Sequence, residues 1–237
     1  MEDTMKVIPY YEQIMETLTP LTPRPITTYR GGDITEFERI EAEMMIYEMR
    51  CFETDKLDKI TTIKADIAGG GFVVQATTIV PADEYPLPIF GSEILQAEGY
   101  ISLRVDFYPL ADCARDMVYY ERYMEPMEPI WEKYKDIEGV GMEKRHWAKV
   151  MASPFYTFGK LHQENIEDTA LDLTVDYLKL YVKFCSETEK AGQTYMTALN
   201  ERKRSMLQIF RERDPGEKPL KKILGEEKAR RLIDLLF

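Results

Sequence analysis

The apolar run Pro88-Ile89-Phe90-Gly91-Ser92-Glu93-Ile94-Leu95 contains a single acid, Glu93. Read as a strand, the run puts Ile89, Gly91 and Glu93 on one face and Phe90, Ser92 and Ile94 on the other. Gly91 has no side chain and opens space beside Glu93 where a ligand can lie close to the sheet. A carboxyl group over a hydrophobic floor tends to keep its proton near neutrality, which suits general acid work. The same pattern also fits a strand-edge glutamate facing water. Asp106, within Leu103-Arg104-Val105-Asp106-Phe107, is a similar case that reads more readily as structural. Asn200-Glu201 opens the basic stretch Arg202-Lys203-Arg204, for which a solvated helix face is the plain alternative. His146 and His162 are the only histidines, read as surface or packing residues, and they leave little room for His-based chemistry.

Most familiar catalytic signatures are absent. Gly69-Gly70-Gly71-Phe72 lacks the spacing of a dinucleotide fingerprint, and no P-loop, Gly-x-Ser-x-Gly or HExxH motif occurs. Cys51, Cys113 and Cys185 are far apart, odd in number and form no CxxC pair, so neither a disulfide framework nor a zinc or iron–sulfur site is expected. A reducing, cytoplasmic compartment is the natural reading, or a plastid for the mature chain of a photosynthetic eukaryote. The chain has 237 residues, 44% hydrophobic and 31% charged, enough to bury a core as one domain over 1–237. Its net charge of −11 argues against general nucleic-acid binding and against electrostatic docking on an acidic membrane. No apolar run is long enough to cross a membrane, and the acidic start Met-Glu-Asp shows no signal-peptide pattern.

The elements that must position these residues read as strands first and helices after. Residues 6–18 form a short amphipathic helix, ended by Pro20, Pro23 and Pro25. A strand over 46–53 is expected, preceded by a helical turn. Strands over 59–67 and 71–80 flank the glycines at 69–71 as a hairpin, and the run through Leu95 turns at Glu98-Gly99 into Tyr100–Tyr108. Helices are expected over 112–123 and 126–135, a short strand over 154–160, and a long helix over 164–191 with Leu171, Val175, Leu178, Tyr181, Val182 and Cys185 on one stripe. Two more helices, 194–212 and 224–236, are separated by Asp214-Pro215-Gly216. This order predicts an α+β fold with a largely antiparallel sheet covered by helices.

The stretch Thr78-Ile79-Val80-Pro81 through Leu87-Pro88-Ile89-Phe90-Gly91-Ser92-Glu93-Ile94 resembles the ferredoxin-dependent bilin reductases. Leu103–Pro109, Ser153–Phe158, Tyr195–Asn200 and Leu224–Phe237 resemble their later elements in order, so the likeness spans about residues 45–237. The resemblance implies a three-layer α/β/α sandwich with a central antiparallel sheet. An open-chain tetrapyrrole, biliverdin IXα or a dihydrobiliverdin, would lie between the sheet and the C-terminal helices. It implies no bound flavin or metal: reduced ferredoxin supplies single electrons, protein acids supply protons, and a phytobilin results. A monomer is expected.

Under the resemblance, Glu93 falls on the family's central aspartate, and Asn200 falls on or beside the second, with Glu201 next to it. An asparagine cannot donate the same proton, so either Glu201 takes the role or this second position is altered. The histidine and glutamate used by phycocyanobilin-forming members align near Ala76 and Ile63-Lys64 and are missing, which argues against vinyl-group reduction by that route. Gly91 and Ala76 would contact substrate. Lys160, and less strongly Arg104, would hold a propionate. Arg202, Lys203, Arg204, Lys221, Lys222, Arg230 and Arg231 would supply a local basic surface for acidic ferredoxin. A glutamate at the central position is also a feature of the related red chlorophyll catabolite reductases, the alternative within the same fold. A tetrapyrrole-binding protein without reductase activity is a further alternative.

Overall fold

The computed structural model describes residues 6–69, 71–141, 145–162 and 166–237. Helix α1 (Tyr10–Leu18) is followed by the two-residue strands β1 (Arg24–Pro25), β2 (Thr28–Tyr29) and β3 (Gly32–Asp33), then by β4 (Arg39–Ala42). Five long strands come next: β5 (Met45–Glu53), β6 (Leu57–Ile67), β7 (Phe72–Pro81), β8 (Ile89–Ala97) and β9 (Tyr100–Tyr108). A helical stretch with α2 (Met117–Tyr119) and α3 (Glu128–Tyr134) leads to β10 (Val140–Gly141), α4 (His146–Lys149) and β11 (Thr157–Leu161). Four helices end the chain: α5 (Ile166–Glu187), α6 (Gln193–Arg213), α7 (Glu217–Leu224) and α8 (Glu226–Leu236).

The main sheet runs in the order β1-β5-β6-β7-β8-β9-β11-β10, with β4 also paired to β5, and its pairings are antiparallel. The β-branched residues of β6 and β7 favour this extended backbone, and period-two alternation sorts their side chains onto two faces. One face presents Phe90, Ile94, Leu103, Val105 and Phe107 to α1 and α5. Phe107 is its centre, with ring centroids 5.5–5.9 Å from those of Phe90, Tyr177, Tyr181 and Phe184. Ser92, Gln75 and Gln96 on this face are paired, as burial demands. The Tyr10 hydroxyl lies 2.5 Å from Ser92 Oγ, and Gln75 and Gln96 bond the backbone at Ile8.

The opposite face is covered by α6, α7 and α8, which completes the three-layer sandwich. Helix α8 buries Ala229, Leu232, Ile233 and Leu236, and its stripe meets Met45, Tyr47 and Met49 of β5. Its last turn is capped by the buried Lys59, whose Nζ donates to Leu235 O at 2.5 Å and sits 4.3 Å from the Tyr29 ring centroid. Burial pulls that ammonium down to about 8. Helix α6 is seated at its N-terminal half by Lys203, which donates to Pro81 O at 2.9 Å and Asp83 Oδ1 at 2.6 Å, and by Arg202, which donates to Pro109 O.

Several elements differ from the sequence reading. The expected helical turn before β5 is strand β4, whose alternation buries Ile40 and whose Arg39 pairs with Glu48 across the hairpin at 2.5 Å. The two helices expected over 112–135 are broken: α2 has three residues, a π turn spans Tyr120–Met124, and α3 has seven. Pro126 and Pro129 remove the N–H donors that would continue one ladder. The strand expected over 154–160 begins only at Thr157. Helix α7 fills the stretch between the two expected C-terminal helices, with Pro219 tolerated in its first turn. The start of the helix expected at 164 lies outside the described residues. The described helices include none long and apolar enough to cross a membrane.

Replacing Phe107 by Ala removes the ring shared by four aromatic neighbours. Chemical denaturation is expected to show a loss of about 3–5 kcal/mol; a loss below 1 kcal/mol is incompatible with this ring as the centre of the core.

Candidate active site

Pairing across four strands lines up two rows on the face beneath the C-terminal helices. One row is Ile63, Ala76, Glu93 and Arg104; the next is Thr61, Thr78, Gly91 and Asp106. Above them lie Phe210 and Arg213 of α6, Asp214 and Pro215 at the α6–α7 junction, and Leu236 and Phe237 at the end of α8. Between floor and roof is a cleft of about 860 Å³, counted with its open mouth.

Glu93 and Arg104 are directly opposed on β8 and β9, and Arg104 Nη2 lies 3.0 Å from Glu93 Oε2. The side chains keep only 31% and 24% of their exposure, so solvent screens the pair less than a surface one. This corrects the picture of Glu93 over a bare apolar floor. It also commits Arg104 to a carboxylate of the protein. Gly91 lines the cleft, and a Cβ there would meet Tyr108 Cε2 at 2.9 Å, so the missing side chain makes room for a ring that lines the cleft with it.

The second acid of the cleft is Asp214, not Asn200 or Glu201. Asp214 follows the last residue of α6, lines the cleft and accepts a hydrogen bond from Gly216 N at 2.6 Å. Burial pushes its carboxyl upward, partly opposed by that N–H and by the charges of Arg104 and Arg145. Asn200 lies fourteen residues earlier, about 21 Å along the helix axis. It donates to Asp83 O at 2.9 Å, as part of the seat of α6, and Glu201 beside it is exposed. The signal in the sequence was Asp214-Pro215-Gly216: a helix stop whose acid has a turn N–H in reach.

Arg145, Trp147 and Arg213 also line the cleft and carried no motif. Both guanidinium groups lie against the Trp147 ring, 5.6 and 5.7 Å from its centroid, and form a cationic edge with an aromatic plate. Lys160 is on the same sheet face but stands over Tyr100, 4.3 Å from its centroid, and does not line the cleft. Ala76 does. His162 bonds Gly99 O at 3.1 Å, and His146 is exposed on α4; neither lines the cleft.

Asp106 is structural. It is fully buried, and its two oxygens accept from Ser153 N at 2.9 Å and Ser153 Oγ at 2.5 Å. These bonds hold the segment between α4 and β11, which brings Trp147, Ala148 and Tyr156 to the cleft. Burial raises this carboxyl to about 7.

The expected basic surface is partly consumed. Lys203 is buried under α6, Arg202 is half-buried on Pro109 O, Lys221 pairs with Glu217 and Glu226, and Arg231 pairs with Glu36. Arg204, Lys222 and Arg230 remain exposed. Among the described residues, no group of three His, Cys, Asp or Glu side chains is arranged to hold a metal ion.

Fold and cleft together define an α/β/α-sandwich protein with an aromatic-lined pocket, acids on two walls and cations at its edge. The sequence profile of the ferredoxin-dependent bilin reductases matches residues 14–237, and the chain belongs to that family. It is similar to the 15,16-dihydrobiliverdin:ferredoxin oxidoreductase of Gloeobacter violaceus, at 28% identity over 97% of this chain and 93% of that one. The phycoerythrobilin:ferredoxin oxidoreductase of the same organism is 27% identical over 92% and 89%. Phytochromobilin synthase from tomato, solved in complex with biliverdin, shares the fold with a TM-score of 0.80 at 19% identity, over 94% of this chain and 79% of that one.

Asp106 ties stability to pH. Its folded pKa of about 7 lies above the value of about 4 in an unfolded chain, so between those values only the folded state holds the proton. Stability therefore falls as pH rises through this window. Asp106→Asn, which mimics the protonated acid, is expected to flatten that slope in denaturation curves taken from pH 4 to 7.5.

Proposed function

We propose that this protein reduces a linear tetrapyrrole, biliverdin IXα or a dihydrobiliverdin, to a phytobilin. Electrons come singly from reduced ferredoxin and protons from acids of the cleft. For each double bond reduced, two ferredoxins each give one electron and two protons are taken up. The observation that carries this reading is the pair of acids, Glu93 on the sheet and Asp214 on the roof, facing one cleft of about 860 Å³. A flat conjugated ligand would lie over the strand rows beside the Tyr108, Phe210 and Phe237 rings that line the cleft. Its propionates match Arg145 and Arg213 at the Trp147 edge. Burial shifts the Asp214 carboxyl upward, in the direction that suits general acid transfer. Glu93 stands at the centre of the floor, where the pyrrole nitrogens would lie.

The reading needs no flavin or metal in the protein. Relatives named as ferredoxin oxidoreductases support the choice of donor. Ferredoxins are usually acidic, and although the chain carries −11 overall, residues 200–231 hold eleven Lys or Arg against six Asp or Glu. The exposed members Arg204, Lys222 and Arg230 give a monomer a local surface for such a partner.

Biliverdin is expected to give a new long-wavelength band on mixing. Anaerobic addition of ferredoxin, its reductase and NADPH is then expected to convert that band, with the product identified by chromatography. A band that forms but never changes leaves a binding protein; no band at all rejects the tetrapyrrole reading. Glu93→Gln is expected to bind biliverdin and to lower kcat by about 100-fold or more; full turnover by that variant removes Glu93 from the mechanism.

A further inference from the structure

Lys59 takes no part in the chemistry proposed above, yet it is fully buried. It stands on β6 two residues before Thr61, on the face that carries the cleft. The pairing of β6 with β7 shifts register between Leu57 and Lys59, and such a bulge re-aims the side chain beside it. Lys59 Nζ donates to Leu235 O at 2.5 Å and lies 4.3 Å from the centroid of the Tyr29 ring, whose hydroxyl donates to Asp58. Among the described residues no carboxylate pairs with it; Cys51, Asp58, Arg30 and Arg211 act on it only through space. A buried ammonium in that setting costs stability that a methionine of similar length would not. A cation does suit the free carbonyls at a helix C-terminus, but water can satisfy them too. What Lys59 adds is one fixed place for the end of α8.

That end carries a side of the cleft. Leu236 and Phe237, directly after Leu235, line it, and Arg211 of α6 donates to Phe237 O. The Phe237 ring centroid is 5.6 Å from that of Phe210, and Phe210 is 4.9 Å from Tyr108. All three rings line the cleft, and Tyr108 sits in the space that Gly91 leaves. A shift at Leu235 passes along this packed ladder to the floor. We propose that Lys59 is a positioning residue for substrate selection: it fixes the last turn of α8, and through it the Phe237–Phe210–Tyr108 ladder, at a spacing that admits a bilin conjugated through its central bridge and disfavours one bent there. The inference rests on the bilin reading of the cleft and adds what that cleft selects. Biliverdin is conjugated across its rings and flattens at little cost. Bilirubin is saturated at the central carbon, which bends it into two halves. The two share their propionates and end rings, so the cationic edge at Arg145 and Arg213 does not tell them apart. Clearance beside the ladder does.

The test uses Lys59→Met, Phe237→Ala and the double variant of the full chain, with thermal melts, amide hydrogen exchange and titrations with biliverdin and with bilirubin. Lys59→Met is expected to melt within about 3 °C of the parent or above it. Amides in the last turn of α8, residues 233–236, are expected to exchange about tenfold faster or more. The ratio of the bilirubin Kd to the biliverdin Kd is expected to fall by about fivefold or more, with kcat on biliverdin within about threefold of the parent. Bilirubin binding that the parent lacks counts as such a fall. A general loss of stability would weaken both ligands alike; a ratio that stays at the parent's value overturns the proposal, as does unchanged exchange at the end of α8. The double variant is expected to discriminate no worse than Phe237→Ala, because Lys59 acts through that ring. Losses that add give Lys59 a separate role and also overturn it. If Lys59→Met does not fold, Lys59→Gln, which keeps a shorter donor, carries the same ratio test. If the parent binds biliverdin without reducing it, the reductase reading fails by itself and the ratio still decides on Lys59. If the parent binds neither ligand, both fall.

Discussion

Strand β8 lies between β7 and β9, and its register decides which face of the sheet receives an acid. In that register Glu93 meets Ala76 on one side and Arg104 on the other, while Phe90 and Ile94 turn into the aromatic core. A slip of one residue would put the carboxyl among Phe107, Tyr181 and Phe184 and turn Phe90 into the cleft. The core therefore fixes the register: the cost of burying Glu93 unpaired keeps its carboxyl on the cleft face. Tyr181, donating to Pro88 O at 2.9 Å, locks the entrance to the same strand from the far layer.

The two helical layers do different work. Helix α5 buries residues from Ile166 to Cys185, with the aromatic Tyr177, Tyr181 and Phe184 in its second half, and forms the back. The roof of α6, α7 and α8 is hung from its ends. Lys203, Arg202 and Asn200 fasten the start of α6, and Lys59 and Arg211 reach the last residues of α8 at Leu235 and Phe237. Between these points Phe210 packs on Tyr108 and the α8 stripe on β5, and the cleft lies beside these contacts. Residues that looked like a solvent-facing cation run are thus partly the fasteners of the roof.

Electrostatics in the cleft is local and nearly balanced. Two carboxyls, Glu93 and Asp214, share it with Arg104, Arg145 and Arg213. The overall charge of −11 says nothing of this, because a largely desolvated pair at 3.0 Å responds to its neighbours far more than to distant surface acids.

The sequence by itself determined the antiparallel strands from Met45 to Tyr108, the long helix α5 and the presence of Glu93 on a face apart from the core. Each follows from local periodicity, which one stretch of chain carries alone. Only the tertiary structure decided that Asp214 and not Asn200 lines the cleft, that Arg104 pairs with Glu93, that Tyr108 packs close over Gly91, and that Lys203 is buried. It also decided that Arg145, Trp147 and Arg213 meet at one edge. The reason is distance along the chain. Glu93 and Asp214 are 121 residues apart, and their meeting depends on how far α6 runs and where its start is seated. Periodicity tells which way a side chain points from its own element, and what it meets there is set by the packing of another.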